Sequence, residues 1–294
     1  YGQGFLLTFK EADLLVTRNA QYRTILKPYM IGDDFTSSPT FAPSRIVIDF
    51  GTRDFDEASQ FVEPFRIVTE RVKPDRGRLT KQIHESRYWL FWDKREELYQ
   101  AIASFDRVIV CSVVSKYSAF AFVDNGIVYG QSLKVFAFDG AGYVAVLQSN
   151  IHEAWARYYS GTLETRLSYS ASDAFETFPF PREVIRLTLL GERYETQRRL
   201  VMSLLQEGLT KIYNRFHDPA EKADAIAQLR ALHVEIDQSV AAAYGWNDLD
   251  LDHGFHDTKQ GIRYTISESA RRIVLDRLLA LNHERYSEEV KAGL

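Results

Sequence analysis

Two stretches of the chain carry side chains suited to holding an anion or reading a polar edge. Residues 66–87 contain seven basic residues, Arg66, Arg71, Lys73, Arg76, Arg78, Lys81 and Arg87, against three acidic ones. An aromatic cluster follows at once: Tyr88, Trp89, Phe91 and Trp92. Further on, an apolar run over residues 107–114 exits into Ser115-Lys116-Tyr117-Ser118. A guanidinium offers a planar fork of donors that fits a phosphate or the outer edge of guanine, and Ser and Tyr hydroxyls reach the same groups. Basic residues in a loop, with hydroxyls at the end of a rigid strand, point to nucleic-acid contact. The candidate DNA-binding residues are Lys73, Arg76, Arg78, Lys81, Arg87, Ser115, Lys116, Tyr117 and Ser118. The competing reading is bland: a charge run is a solvated helix face, and an aromatic cluster is core.

Other chemistries leave weaker signals. Asp252, His253 and His256 cluster beside Asp250 and Asp257, and Asp248, Asp250 and Asp252 alternate as in a calcium loop. His253, however, takes the place that needs glycine, and Lys259 takes that of the bidentate glutamate. A metal-dependent enzyme built on Asp252, His253 and His256 is therefore a rival reading, and no metal site is assigned. His152-Glu153 lacks a second histidine four residues after the first, so a packed or capping His152 is expected. Gly2-x-Gly4 and Gly140-x-Gly142 are lone glycine pairs, the second more simply a turn. A Walker loop, paired cysteine ligands and a Glu-x-Lys nuclease signature are not recognisable. Neither a glycine-rich loop for S-adenosylmethionine nor an Asn/Asp-Pro-Pro-aromatic segment for a flipped base is present. No catalytic and no cofactor-binding residue is assigned.

Elements must position these side chains. Thr8 and Glu11 form a capping box ahead of a helix, and Asp93 with Glu96 and Thr265 with Glu268 repeat the pattern. Residues 31–44, rich in Gly, Asp, Ser, Thr and Pro, read as a long surface loop. Residues 45–51 read as a buried strand closed by Gly51. Pro64 lies at a helix start, and that helix runs to Pro74. Residues 75–86, charged and without apolar periodicity, read as a mobile loop. A strand covers residues 107–115, a hairpin turns at Asp124-Asn125-Gly126, and a further strand covers residues 133–138. Residues 142–161 form one or two helices with Gly161 as C-cap. Pro179 and Pro181 punctuate the chain. Beyond them apolar residues recur every three or four positions, as at Ile226, Leu229, Leu232 and Ile236. The predicted fold class is α+β, with mixed sheets over residues 1–181 followed by an all-helical domain over 182–294.

Composition sets the outer bounds. Hydrophobic residues at 45% and charged residues at 26% are the mix of a soluble globular protein. No apolar run approaches the roughly 20 residues that cross a bilayer, so no membrane partner is expected. The net charge of −4 means that any anion-binding face is local. The one cysteine, Cys111, lies in an apolar stretch and reads as a buried thiol, which makes a reducing, cytoplasmic compartment the default. The chain opens at Tyr1, not Met, and reads as a piece of a larger protein.

Several phrases, taken together and in order, carry a resemblance. They are PYMIGDDFTSSP (residues 28–39), RIVIDFG (45–51), PFRIVTERVKPDR (64–76), YWLFWDKREELYQAI (88–102) and VVSKYSAFAF (113–122). LQSNIHEAWARYYSGTLETRLSYSASDAFETFPFP (147–181) and LTKIYNRFHDP (209–219) follow. The chain resembles the C-terminal part of the MmeI-like, type IIG/IIL restriction-modification methyltransferases. The resemblance implies a target recognition domain over residues 1–181 and a helical C-terminal segment that packs on it and helps to embrace the duplex. It further implies a parent that transfers a methyl group from S-adenosylmethionine to adenine N6 and in many cases cleaves DNA. Both activities would lie upstream of Tyr1. The implied partners are double-stranded DNA and the upstream methyltransferase domain. Recognition-domain loops around the Val-Ser strand end set specificity in such proteins, which points to Ser115, Lys116, Tyr117 and Ser118, with the 76–87 loop nearby. The alternative is a helical protein-interaction module that does not read DNA, which long helices such as residues 267–294 permit.

Overall fold

The computed structural model describes residues 2–77, 87–91 and 95–293. The first part is built on β1 (Leu6–Leu7), α1 (Phe9–Arg18), β2 (Leu26–Met30), α2 (Gly32–Ser37), β3 (Arg45–Ile48), α3 (Phe55–Ser59), α4 (Val62–Arg71) and α5 (Lys73–Arg76). Thr8 caps α1 as expected: its Oγ1 accepts from Glu11 N at 3.2 Å, and the Glu11 carboxylate accepts from Thr8 N at 2.8 Å. Strand β3 pairs antiparallel with β1 and β2, and its Ile46, Val47 and Ile48 are all buried. A run buried on consecutive residues is what a strand covered on both faces requires. The expected loop over residues 31–44 is corrected, since it contains α2. The Asp34 carboxylate accepts from Ile31 N at 3.0 Å, and Phe35, fully buried, stacks on Phe41 at 5.2 Å. Burial of two rings outweighs a turn-rich composition.

The second sheet is centred on β4 (Arg107–Ser112). After α6 (Glu96–Ala101) come β4, β5 (Val114–Ser115), β6 (Ala121–Asp124), β7 (Val128–Tyr129) and β8 (Leu133–Phe136), with the order β6-β4-β8. Cys111 is buried, and burial pushes its thiol well above the usual range, so it is a packing residue. The Asp124-Asn125-Gly126 turn forms, with Gly126 at φ +87°, but it does not join a hairpin. Strand β6 pairs with β4, whereas β7 leaves to pair in parallel with β2. Asn125 accounts for the redirection: its Nδ2 donates to the carbonyls of Ile102 (2.7 Å) and Phe105 (2.9 Å) and ties the turn to the end of α6.

Residues 142–161 hold a pair of helices and a strand start. Ser149 separates α7 (Ala141–Gln148) from α8 (Asn150–Tyr159), its Oγ accepting from His152 N at 3.2 Å. Ser160, not Gly161, ends α8; Gly161 opens β9 (Gly161–Leu163), which pairs with β10 (Arg166–Ser168). Strand β10 in turn pairs with β5, giving a three-stranded sheet β5-β10-β9.

The C-terminal third contributes α9 (Thr188–Leu205), α10 (Leu209–Phe216), α11 (Asp224–Ala243) and α12 (Glu268–Ala292). It also carries a hairpin that the sequence did not announce, β11 (Gly254–Thr258) with β12 (Gly261–Thr265). The α+β class holds, with this addition to the helical part. The cap of α12 is Ser267, whose Oγ accepts from Ala270 N at 3.2 Å; Thr265 instead donates to Asn150 Oδ1 at 2.8 Å.

One core runs across residue 181. Val108, Ala145 and Trp155 share it with Leu190, Val201, Leu229 and Val274. Close helix approach makes this possible. A Cβ at Gly191 would come 1.9 Å from the Ala141 carbonyl, and one at Gly142 would come 2.3 Å from that of Val184. Hydrogen-bonded polar groups cross the same seam. Arg198, with no exposed surface, pairs with Glu195 and donates to Gln148 Oε1 (3.0 Å) and the Phe120 carbonyl (2.6 Å). Asp237 accepts from Asn150 N and Nδ2, both at 2.7 Å.

Candidate nucleic-acid interface

The basic stretch resolves into several different environments. Arg66 pairs with Glu70 at 2.9 Å and Arg71 with Glu11 at 3.0 Å. Arg76 is buried, 3% exposed, and this corrects its candidacy as a DNA contact. Its Nη1 lies 3.2, 3.1 and 2.8 Å from the carbonyls of Arg87, Tyr88 and Leu90, and its guanidinium carbon is 5.1 Å from the Phe5 ring centroid. These carbonyls lie in a segment without regular structure, so a multi-donor side chain supplies the partners that a helix or sheet otherwise would. Lys73 is exposed, its Nζ 5.3 Å from the Tyr88 ring centroid, and Arg87 is exposed as well. Arg78 and Lys81, the 78–86 loop, Trp92 and the Asp93 cap lie outside the described residues. Tyr88 and Trp89 are buried and packed edge to face at 5.7 Å, and Trp89 Nε1 donates to the Arg53 carbonyl at 3.1 Å. Tyr88 and Trp89 are core, with Phe91 packed against them, and do not form a stacking platform.

The strand end is organised differently. Ser115 Oγ donates to the Tyr117 carbonyl at 2.5 Å, closing a tight bend just beyond β5. Lys116 is exposed, and its Nζ donates to Asn214 Oδ1 on α10 at 2.7 Å. The Tyr117 hydroxyl donates to the same oxygen at 2.6 Å. The Tyr117 ring is buried: His217 stacks on it at 5.0 Å, and the Arg263 guanidinium carbon lies 4.5 Å from its centroid. Burial, with Arg263 nearby, holds the His217 imidazole down to about 3. At neutral pH it is an uncharged ring whose Nδ1 accepts from Tyr264 N at 3.1 Å. Ser118 Oγ is buried without a hydrogen-bond partner among the described residues and faces a polar cavity of about 10 Å³ beside Glu153, His217 and His233. That volume is at the lower limit for one water. Of the four candidates, Lys116 alone presents its head group outward.

Sheet pairing adds a second outward element that the sequence reasoning missed. Leu167 pairs with Ser115, so the β9–β10 turn projects alongside Lys116. Gly161 through Arg166 are all exposed. The turn residues are Glu164 and Thr165, and Glu164 adopts φ +60°. A glutamate in the left-handed region is strained by about 1 kcal/mol or more, and such strain collects at functional sites. Arg166 donates to Glu164 Oε2 at 3.1 Å, both side chains remaining well exposed. The alternation of apolar Leu167 and Tyr169 with polar Arg166, Ser168 and Ser170 was the available signal for β10. Nothing local marks Asn214, His217 or Arg263, which reach the strand end from the C-terminal third.

The remaining motifs resolve into packing. His152 is fully buried; its Nδ1 contacts the Leu147 carbonyl at 2.8 Å and its Nε2 the Tyr169 hydroxyl at 3.1 Å. His253 Nε2 lies 2.8 Å from Asp237 Oδ2, and His256 Nε2 lies 2.8 Å from the Asp252 carbonyl. Asp252, His253 and His256 therefore face different partners, and no group of three or more metal-ligating side chains forms among the described residues. In the glycine pairs, Gly4 and Gly142 hold positions of close backbone packing. Gly142 admits α9's neighbouring backbone, and a Cβ at Gly4 would meet Val72 at 2.7 Å. No helix of the described residues is long and apolar enough to cross a membrane.

Known proteins place this architecture. Among solved structures, the fold matches that of the Type IIL restriction-modification enzyme MmeI, solved in complex with DNA, with a TM-score of 0.64 and 18% identity. The match covers 97% of this chain and 34% of that one, so the chain spans about a third of that enzyme's length. The family described as "MmeI, target recognition domain" matches residues 1–182, and the chain belongs to it. No curated protein matches the chain.

Proposed function

We propose that this chain reads a short sequence of double-stranded DNA on behalf of a restriction-modification enzyme whose catalytic parts lie elsewhere in the same parent protein. The observation that carries the reading is the outward edge of the β5-β10-β9 sheet. There Lys116 just beyond β5, Glu164 in the β9–β10 turn and Arg166 at the start of β10 are exposed at the same end of the sheet, within a fold of the target-recognition family. The chemistry suits base edges. Arginine donates to guanine O6 and N7, and glutamate accepts from cytosine N4, so the Glu164–Arg166 pair is complementary to a G·C pair in the major groove. Exposed Lys73 and Arg87 would neutralise phosphates, and Lys116 would bring its charge to a base edge.

On this reading the parent transfers a methyl group from S-adenosylmethionine to adenine N6, as in type IIG enzymes, and acts on cytoplasmic DNA. The cofactor and any nuclease centre would belong to an upstream methyltransferase portion, the division of labour that the family resemblance implies. The test is selection from a pool of duplexes with randomised positions. Enrichment of one short motif is expected; uniform recovery at low salt would sink sequence reading.

One observation favours a second, compatible role. Ile185, Leu189, Leu200 and Leu204 are 59–80% exposed, and Leu189 borders a groove of about 780 Å³ between α9 and α11. An apolar stripe of this kind suits contact with another protein surface.

A further inference from the structure

We infer that Asn214, outside the recognition-domain match, is a positioning residue that sets how Lys116 meets DNA, so that base preference is shared between residues 1–182 and the segment after them. The inference rests on the DNA-reading function proposed above. Lysine only donates, so the Asn214 amide must turn its oxygen toward Lys116, and the same oxygen accepts from Tyr117. Both lone pairs of one atom are thereby engaged by adjacent residues of the strand end. A flexible lysine is otherwise a poor reader, since each of its rotamers reaches a different place. The asparagine clasp selects one direction without neutralising the charge, and Lys116 retains two N–H donors for a ligand. A carboxylate there would form an ion pair with Lys116 and compete with DNA for it.

The rest of the clamp comes from the same region. His217 stacks on the Tyr117 ring and Arg263 lies over it, so the hydroxyl that shares Asn214 Oδ1 is itself fixed. Asn214, His217 and Arg263 all follow residue 182, where the family match ends. Asn214 is exposed on α10, so its replacement removes the clasp with little loss of core.

The experiment uses the full 294-residue chain, duplex selection, salt titration of binding to a labelled random-sequence duplex, and thermal melting. Asn214→Ala is expected to melt as wild type and to bind random duplex as wild type, while preference at one motif position falls about tenfold. Asn214→Asp keeps both acceptor bonds but neutralises Lys116. It is expected to lower the dependence of log affinity on log salt by about one. The doubly exchanged variant Glu164→Arg with Arg166→Glu serves as a marker and should alter a different position. If the marker changes the motif and Asn214→Ala does not, the positioning role is wrong and the reading stands. If wild type recovers no motif, the reading fails and the inference falls with it.

Discussion

Residues 73–91 and residues 115–118 both offered basic and hydroxyl-bearing side chains beside aromatics, yet the fold treats them in opposite ways. In the first, Arg76 turns inward onto three carbonyls and Tyr88 and Trp89 fill a core. In the second, Tyr117 is core while Lys116 stands outside it, held by a single amide oxygen. The difference lies in the backbone. A segment without regular structure leaves carbonyls that need donors, and an arginine stem can carry donors into an apolar interior. At the strand end Ser115 Oγ and Gln148 Nε2 already donate to the carbonyls of Tyr117 and Ser118, so the lysine is not drawn inward to them. Positive charge in a sequence thus marks a reader only where the surrounding backbone is already satisfied.

That contrast can be broken most directly at Arg76. Arg76→Ala orphans buried carbonyls and opens a void, and should lower unfolding free energy by about 3–5 kcal/mol in urea titrations. A variant that keeps wild-type stability but loses duplex binding would reverse the assignment. The tip of the β9–β10 turn should behave in the other way. Exchanging Glu164 and Arg166 should leave stability nearly unchanged and shift the preferred base pair at one position by about 1–3 kcal/mol, read from competition binding.

Acid distinguishes the two regions as well, because every described histidine lies at or beyond residue 152. Burial, partly opposed by the Leu147 carbonyl, holds His152 down to about 4, while an unfolded chain titrates near 6.5. The unfolded chain therefore binds the extra proton first. The contribution is intact above about pH 6.5 and declines as pH falls toward 4, amounting to about 2 kcal/mol lost between pH 7 and 5. His217 adds to the loss in the same direction. Hydrogen exchange should show α8 and the strand end loosening before β1–β3; simultaneous loosening would argue against the assignment to histidine. The smallest effect is expected for Lys116→Ala. It should change stability by less than about 0.5 kcal/mol, reduce the salt dependence of duplex binding by about one, and weaken preference at the same motif position as Asn214→Ala.

What the chain's sequence determined by itself is its local order. The Thr8–Glu11 box, the buried run of β3, the spacing of Ile226, Leu229 and Ile236 and the left-handed Gly51 and Gly126 all rest on contacts within a few residues, which the sequence displays side by side. The family resemblance was legible for the same reason, as a string of adjacent phrases. Partnership over long separations was decided only in three dimensions. Nothing near Asp124 shows that β7 will pair with β2, nothing near Arg76 shows which carbonyls lack donors, and nothing near Lys116 shows that Asn214 will hold it from 98 residues away. Such contacts form only after the core has closed across residue 181 and brought distant backbone into register. The groups that pair there do so because burial makes an unmet donor or acceptor costly, and that cost exists only in the folded chain.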